Sequence, residues 1–119
     1  MKRVMIVDDS EKIRERIVAM LMESGRIRIV GQFGNGRDAM DQLDGLHPDA
    51  AILDIRLPDL SGIEILKKIK ERMPDVKVTM FTNFDSVQYR AQCRRLGADH
   101  FLNKALEFEK ITDTVLSDT

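Results

Sequence analysis

The chain has 119 residues, a length that fits one domain of ordinary size and leaves no room for two hydrophobic cores. Hydrophobic residues make up 43% of it and charged residues 33%, which excludes a disordered chain and predicts a packed globule. The 19 basic and 20 acidic residues give a net charge of −1, so no overall field attracts nucleic acid or an anionic membrane. We therefore expect one domain over residues 1–119 whose function depends on a local site.

We expect no targeting or membrane segment in this sequence. The single cysteine, Cys93, cannot form an internal disulfide. The first apolar run, 4–7, is too short for a signal peptide, and no run approaches the roughly 18 residues of a membrane span. The cytoplasm is the expected compartment, with no membrane attachment and no direct nucleic-acid binding by this domain.

Short apolar runs alternate with amphipathic helical patterns along the whole chain. The predicted strands cover residues 4–7, 27–33, 50–53, 76–81 and 99–102. The predicted helices end at Gly25, at Gly45 with His47–Pro48, at Pro74 and at Gly97, and the last is marked by Phe108, Ile111 and Val115. Five strand–helix units in strict alternation predict a doubly wound α/β fold with a five-stranded parallel sheet, because each right-handed crossover must cover a face of the sheet.

Polar residues stand where four of the predicted strands end. Asp8 and Asp9 follow the first strand, Asp54 the third, Thr82 the fourth, and Lys104 lies near the end of the fifth. Sheets of this class bind ligands outside the carboxyl ends of their strands. We therefore expect these side chains to share one site.

Three carboxylates at one edge repel one another unless a cation neutralises them. A hard divalent cation such as Mg²⁺ suits Asp9 and Asp54 as direct ligands, with Asp8 holding a water. Lys104 adds a fixed positive charge, and this combination around a carboxylate indicates phosphoryl chemistry. In this hypothesis Asp54 attacks phosphorus to form an acyl phosphate, and Thr82 donates a hydrogen bond to it.

Each of these residues also has a simpler interpretation. Ser10 or Asp9 can cap the first helix, and capping could be the whole role of the pair Asp8 and Asp9. Asp54 could be a turn residue. Thr82 could be an ordinary strand-end threonine and Lys104 a solvated surface lysine. Convergence of all of them on one edge, with complementary charges, favours the shared site over these separate explanations.

Four segments resemble motifs of one known family. They are IVDDS at 6–10, LDIRLPDLSG at 53–62, FT at 81–82 and GADHFLNK at 97–104. These segments resemble the acidic pair, the phosphoacceptor segment, the switch threonine and the final strand of response-regulator receiver domains of two-component signalling. The resemblance runs from Lys2 to the last helix and implies a (βα)5 flavodoxin-like receiver fold.

The resemblance also implies a function. It implies that Asp54 is phosphorylated by a histidine kinase, a phosphotransfer protein or a small acyl phosphate. It implies a Mg²⁺ ion held by Asp9, Asp54 and the backbone carbonyl of Arg56, and a switch formed by Thr82 and Phe101. We then expect the signal to pass to an output domain or partner protein, or to a homodimer formed on phosphorylation. Segments 30–31, 34–36 and 107–109 resemble receivers joined to helix-turn-helix DNA-binding domains.

Two departures from the family favour an alternative, a pseudo-receiver that binds partners without phosphorylation. Ala105 stands where the family usually has a proline after the lysine, and a cis peptide bond before alanine would cost roughly 3 kcal/mol. Asn83 stands where the family favours a small residue, and it is expected to crowd the phosphoryl group.

Two other classes of protein fit the sequence less well. A phosphatase with an aspartate nucleophile commonly needs a second carboxylate two residues later, where this chain has Arg56. A flavin or nucleotide carrier would offer backbone amides to a phosphate in its first loop, whereas Asp8 and Asp9 would repel that group. We expect no enzymatic turnover beyond the domain's own aspartyl phosphate.

Overall fold

A computed structural model describes residues 1–117, in which strands and helices alternate as predicted. The strands are β1 Lys2–Val7, β2 Ile27–Phe33, β3 Ala50–Leu53, β4 Lys77–Thr82 and β5 His100–Asn103. The helices are α1 Glu11–Met22, α2 Gly36–Leu46, α3 Gly62–Arg72, α4 Val87–Arg95 and α5 Ile111–Leu116, and a 3₁₀ turn covers Phe108–Lys110 before α5. The last two residues of the predicted domain lie outside the described range.

All five strands pair in parallel within one sheet, in the order β2-β1-β3-β4-β5. This order confirms the predicted doubly wound fold. The strand order reverses beside β1, so the crevice outside the carboxyl ends of β1 and β3 is the position where such sheets bind ligands.

Two buried clusters fill the two sides of the sheet. Met5 and Val7 of β1 contribute to a cluster with α2, α3 and α4, whereas Val4 and Ile6 contribute to a cluster with α1 and α5. Because helices cover both faces, β1 and β3 are apolar at every buried position rather than at alternate ones. Cys93 is buried in the first cluster and is not part of a disulfide, as expected.

Two neighbouring basic residues at the start of β1 bind the carboxyl ends of helices on opposite faces. Lys2 Nζ donates to the Val115 carbonyl of α5 over 2.8 Å. Arg3 Nη2 donates to the Leu46 carbonyl of α2 over 2.6 Å, and its Nε donates to the His47 carbonyl. Cations at helix carboxyl ends satisfy unpaired carbonyls and favour the helix dipole, so both contacts fix helix positions against the sheet.

The strand bounds differ from the prediction at three strands. β2 and β3 cover the predicted residues, whereas β1 begins at Lys2 and both β4 and β5 lie one residue later than predicted. The shift in β5 has a clear cause, because Asn103 pairs with Thr82 in the ladder although it is not apolar. Lys104 therefore follows β5 directly.

The helix ends depend on caps that apolar spacing does not reveal. α4 begins at Val87 because the Ser86 hydroxyl accepts the N–H of Tyr89 over 3.0 Å. α2 continues through Gly45 to Leu46, and His47 ends it with a left-handed φ of 49°. α1 ends at Met22, before Gly25.

Candidate functional site

Asp8 and Asp54 come together because β1 and β3 pair in register. Val7, the last residue of β1, lies opposite Leu53, the last residue of β3. The next residue of each segment is an aspartate, and the Asp54 N–H donates to the Val7 carbonyl over 3.0 Å. Asp8 is 2% exposed and Asp54 5% exposed, so each ionised carboxylate needs a partner inside the protein.

Lys104 is that partner for both carboxylates. Its Nζ lies 2.5 Å from Asp8 Oδ2 and 2.6 Å from Asp54 Oδ2, and its side chain is 8% exposed. The Lys104 backbone N–H donates to the Thr82 carbonyl, which extends the β4–β5 ladder by one residue. One buried ammonium group thus joins residues that follow β1, β3 and β5.

Backbone donors orient the second oxygen of each carboxylate. Asp8 Oδ1 accepts the N–H of Ser10 over 2.9 Å, and Asp54 Oδ1 accepts the N–H of Ile55 over 2.7 Å. Each carboxylate therefore has one oxygen held by backbone and one by Lys104. These contacts fix the orientation of both side chains without filling all of their lone pairs.

A glycine allows α3 to begin against the Asp54 backbone. A Cβ atom on Gly62 would lie 1.8 Å from the Asp54 carbonyl oxygen, so any side chain there would displace Asp54. The Gly62 N–H donates to the Ile55 carbonyl over 2.6 Å, and the Ser61 hydroxyl caps α3 by accepting the N–H of Ile63. The Ser-Gly pair at 61–62 therefore positions Asp54.

Burial and ion pairing have opposite effects at this site. Burial raises the pKa of Asp8, and the hydrogen bonds from Lys104 and Ser10 offset only part of that effect. Burial also acts to lower the pKa of Lys104, but hydrogen bonds to Asp54 and Asp8 outweigh it, so the pKa of the ammonium group is raised. The two carboxylates therefore favour the charged form of Lys104.

Asp9 completes an acidic cluster that opens to solvent. Asp8, Asp9 and Asp54 each offer an oxygen within 4.8 Å of the others, and Asp9 is exposed. The ammonium group of Lys104 contacts two of these three carboxyl groups, so carboxyl groups outnumber the lysine that pairs with them. Hard oxygen donors with one side open to water fit a Mg²⁺ ion, which prefers a few carboxylates and several waters.

Arg56 is an exposed residue two positions after Asp54 in the sequence. It forms an isolated bridge with Ser61 across the loop, and its guanidinium lies 3.9 Å from the centroid of the Phe84 ring. The Arg56 side chain thus makes a cation–π contact with an aromatic ring of the β4–α4 loop. The resemblance to receiver domains implies that the backbone carbonyl of Arg56 is a metal ligand.

Thr82 is fully buried at the end of β4, and its hydroxyl oxygen accepts the N–H of Phe84 over 3.2 Å. The described contacts of the hydroxyl group thus lie within the β4–α4 loop rather than with Asp54. Asn83, which was expected to crowd the site, is exposed.

Phe101 is half-buried on the side of the sheet that α4 covers. It lies opposite Met80 in the β4–β5 ladder and packs against the buried cluster of α2, α3 and α4. The Arg90 guanidinium lies 4.6 Å from the centroid of its ring. Phe101 therefore lies between β5 and α4, and β4 separates its strand from β3, which Asp54 follows.

The first helix does not use the acidic pair as its cap. Ser10 is the N-cap of α1, because its hydroxyl accepts the N–H of Ile13 over 3.2 Å. The simpler interpretation of Asp8 and Asp9 as helix caps is therefore wrong. Both carboxylates belong to the cluster instead.

Two residues that contact this site were not predicted. Arg14, which lies on α1, donates to the backbone carbonyl of Asp8 over 2.5 Å. Asn103 donates to Glu107 in the loop that carries Lys104 and to Asp85 in the β4–α4 loop. Asn103 stands directly before Lys104, which is the only sequence signal that could have identified it. The Arg14 contact depends on how α1 lies on the sheet, which apolar spacing does not specify.

Comparison with known proteins agrees with this geometry. The family model for the response regulator receiver domain matches residues 4–116. The receiver domain of the putative response regulator NarL from Mycobacterium tuberculosis has a TM-score of 0.89 at 29% identity, covering 97% of this chain and 93% of that one. No helix within residues 1–117 is long and apolar enough to span a membrane.

Two curated relatives match over most of this chain and are longer than it. The DNA-binding transcriptional activator DevR/DosR of M. tuberculosis is 33% identical over 107 residues, which cover 90% of this chain and 49% of that protein. A protein-glutamate methylesterase/protein-glutamine glutaminase of Clostridium acetobutylicum is 33% identical over 119 residues, which cover 96% of this chain and 34% of that protein. The chain thus spans half or less of the length of these relatives.

Proposed function

Because this chain belongs to the response-regulator receiver-domain family, we propose that it is a phosphorylation-controlled signalling switch with Asp54 as its phosphoacceptor. The observation that carries this proposal is the buried ammonium group of Lys104, shared by Asp8 and Asp54 beside the exposed Asp9. Asp54 combines a fixed orientation, a cation in contact and access from an acidic cluster that fits Mg²⁺.

The proposed reaction transfers a phosphoryl group to a carboxylate oxygen of Asp54. A lone pair of that oxygen forms the new bond to phosphorus while the bond to the donor breaks, and the donor leaves as a carboxylate from an acyl phosphate or as an imidazole from a phosphohistidine. Lys104 neutralises charge on the transferred oxygens. Asp9, Asp54 and the Arg56 carbonyl would hold a Mg²⁺ ion, with Asp8 holding one of its waters, and the ion would supply further charge neutralisation.

Thr82 is proposed to detect the new phosphoryl group. Its hydroxyl oxygen accepts the Phe84 N–H, which leaves the hydroxyl proton available for donation. A hydrogen bond from Thr82 to the phosphoryl group would pull the β4–α4 loop towards Asp54. Phe101 then turns into the space next to β4, which changes the surface formed by α4 and β5.

The proposed partners are a kinase on one side and an output on the other. A histidine kinase or phosphotransfer protein supplies the phosphoryl group, and a small acyl phosphate serves the same purpose in vitro. The two curated relatives named above differ in output, since one is a DNA-binding activator and the other a methylesterase. We propose that the signal of this domain passes to an output domain, a partner protein or a homodimer.

A phosphorylation-independent interaction module is the alternative, and it depended on Asn83 and Ala105. Asn83 is exposed, and all described peptide bonds within residues 1–117 are trans. Lys104 contacts both carboxylates although alanine follows it. Neither departure from the family therefore favours the alternative.

Intact-mass measurement tests the proposed function. Incubation of the protein with acetyl phosphate and Mg²⁺ should add one phosphoryl group, and Asp54→Asn or chelation of the metal should prevent the addition. Asp75→Asn is a matched control, because Asp75 is an exposed aspartate in the loop before β4. Addition of phosphate to Asp54→Asn, or none to the unmodified protein, would contradict the proposal.

A further inference from the structure

The segment that carries Lys104 runs from Asn103 to Glu107, and we refer to it as the Lys104 loop. Its own apolar side chains do not hold it in place, because Ala105 is exposed and Leu106 is 76% exposed. Lys104 nevertheless reaches two carboxylates within 2.6 Å. Polar contacts must therefore fix this loop.

Asn103 makes four hydrogen bonds that close the Lys104 loop on itself. Its Oδ1 accepts the N–H groups of Ala105 and Leu106 over 2.9 and 3.0 Å. Its backbone N–H donates to Glu107 Oε1 over 2.9 Å, and its carbonyl accepts the Glu107 N–H over 2.8 Å. Lys104 is thus enclosed by bonds between the residue before it and the three residues after it.

A fifth hydrogen bond joins this loop to the segment that follows Thr82. Asn103 Nδ2 donates to Asp85 Oδ2 over 3.2 Å. Asp85 is itself held by Arg90, whose Nε and Nη2 donate to its two oxygens over 2.5 and 2.9 Å. Because Asn103 also lies opposite Thr82 in the ladder, it connects the loop that follows β4 with the loop that carries Lys104.

We infer that Asn103 is a positioning residue that sets the distance between Lys104 and the phosphoacceptor, an inference that rests on the proposed function. Asparagine suits this position because its side chain is both an acceptor and a donor. The acceptor holds Ala105 and Leu106, and the donor faces a carboxylate. Aspartate would keep the acceptors but place a second carboxylate against Asp85.

Phosphorylation kinetics separate positioning from a general loss of stability. Asn103→Ala should slow phosphorylation by acetyl phosphate roughly 10- to 100-fold, since a displacement of about 1 Å has effects of this size. Asn35→Ala is the matched control, since it also removes an asparagine cap, that of α2, and should leave the phosphorylation rate unchanged.

A double-mutant cycle tests whether the effect passes through Lys104. In a Lys104→Met background, Asn103→Ala should cause no further loss of rate, because the group that it positions is absent. An additional loss there, or a wild-type rate for Asn103→Ala alone, would overturn the inference. A second pair of variants tests rescue. Asn103→Asp should be phosphorylated slowly, because it places a carboxylate against Asp85. Addition of Asp85→Asn restores a donor–acceptor pair with the roles reversed and should recover most of the phosphorylation rate.

NMR of the Lys104 ammonium group gives a result that does not depend on phosphorylation. A buried, ion-paired ammonium group should exchange its protons slowly in the unmodified protein, and Asn103→Ala should broaden or shift this signal. An unchanged signal would overturn the inference even in a phosphorylated protein. If the unmodified protein accepts no phosphate, the proposed function fails, and the signal still decides whether Asn103 positions Lys104.

Discussion

Two lysine–aspartate clusters lie at opposite ends of the parallel strands, which we call the carboxyl edge and the amino edge of the sheet. The two clusters differ in charge balance. At the carboxyl edge, Lys104 is shared by Asp8 and Asp54. At the amino edge, Asp99 lies directly before β5, and its Oδ2 accepts from Lys70 Nζ over 2.9 Å and from the Val78 N–H over 2.8 Å. Lys77 Nζ lies 3.9 Å from the second oxygen of Asp99. The first cluster has an excess of carboxylates and the second an excess of ammonium groups.

This difference separates a structural contact from a binding site. Burial acts to raise the pKa of Asp99, but hydrogen bonds from the Val78 N–H and Lys70 outweigh it and hold that pKa below its ordinary value. Burial raises the pKa of Asp8 despite Lys104. The amino edge is thus electrostatically satisfied by the protein alone. The carboxyl edge is left with negative charge that a cation would neutralise.

Removal of the lysine from each cluster should give the largest contrast. Lys104→Met leaves two buried carboxylates without a cation and should lower the free energy of unfolding by about 3–5 kcal/mol in metal-free buffer. Lys70→Met should lower it by about 1 kcal/mol, because its partner is more exposed and keeps Val78 and Lys77. Mg²⁺ should recover part of the loss only in Lys104→Met. Denaturant unfolding measures both, and equal losses would contradict the difference between the clusters.

Loss of one acidic charge should have the next largest effect. At a Mg²⁺ concentration of about 100 times its Kd, the metal should stabilise the native protein by about 2.7 kcal/mol. Asp9→Asn should reduce this stabilisation several-fold, while its metal-free stability should rise because repulsion from Asp8 and Asp54 falls. Thermal melts with and without Mg²⁺ test this. Glu11→Gln, an exposed acid outside the cluster, should melt with the full shift.

The two clusters should also respond to acid with opposite signs. Since the pKa of Asp99 is lowered, its ionised form stabilises the fold above the ordinary value of 3.8, and this contribution disappears as the pH falls through the folded-state pKa. Since the pKa of Asp8 is raised, its ionised form destabilises the fold at neutral pH, and acidification through the folded-state pKa relieves that effect.

Unfolding free energies in metal-free buffer, measured from neutral pH to below 3.8, test these signs. The advantage of the unmodified protein over Asp99→Asn should shrink on acidification. Its stability relative to Asp8→Asn should rise over the upper part of the same range. Parallel changes in both comparisons would show that charge balance does not distinguish the two edges.

The smallest expected effect is a change of side-chain packing. Beryllofluoride with Mg²⁺ mimics the phosphoryl group, and it should shift the NMR signals of Thr82, Phe101 and Arg94. The signals of Lys70 and Asp99 at the amino edge should stay unchanged. Asp54→Asn is the control, because beryllofluoride should not shift the signals of this variant. Movement of Thr82 with a static Phe101 and Arg94 would place the output on another face.

Apolar runs were sufficient to predict the fold because β1 and β3 are buried on both faces and are followed directly by charged residues. The parallel arrangement then places Asp8, Asp54 and Lys104 at one edge, whatever the details of the loops. Strand ends were less predictable, as Asn103 shows, because ladder pairing rather than hydrophobicity extends β5 to that residue.

Contacts between distant segments could not be predicted from the sequence. The bond from Asn103 to Asp85 spans 18 residues. The bond from Arg14 to the Asp8 carbonyl is local in sequence, but it depends on the orientation of α1 on the sheet. Such bonds depend on how the loops and helices pack against the sheet. The sequence also left open whether Asp9 or Ser10 caps α1, since both residue types accept hydrogen bonds at helix starts.

Chemical trapping of the phosphorylated residue tests the central claim most directly. Borohydride reduces an aspartyl phosphate to homoserine, so peptide mass spectrometry after treatment with acetyl phosphate and Mg²⁺ identifies the residue that carried the phosphate. Our account predicts homoserine at position 54 and at no other aspartate, with none when the metal is chelated. Homoserine at another position, or none in the presence of Mg²⁺, would contradict the assignment of Asp54 as the phosphoacceptor.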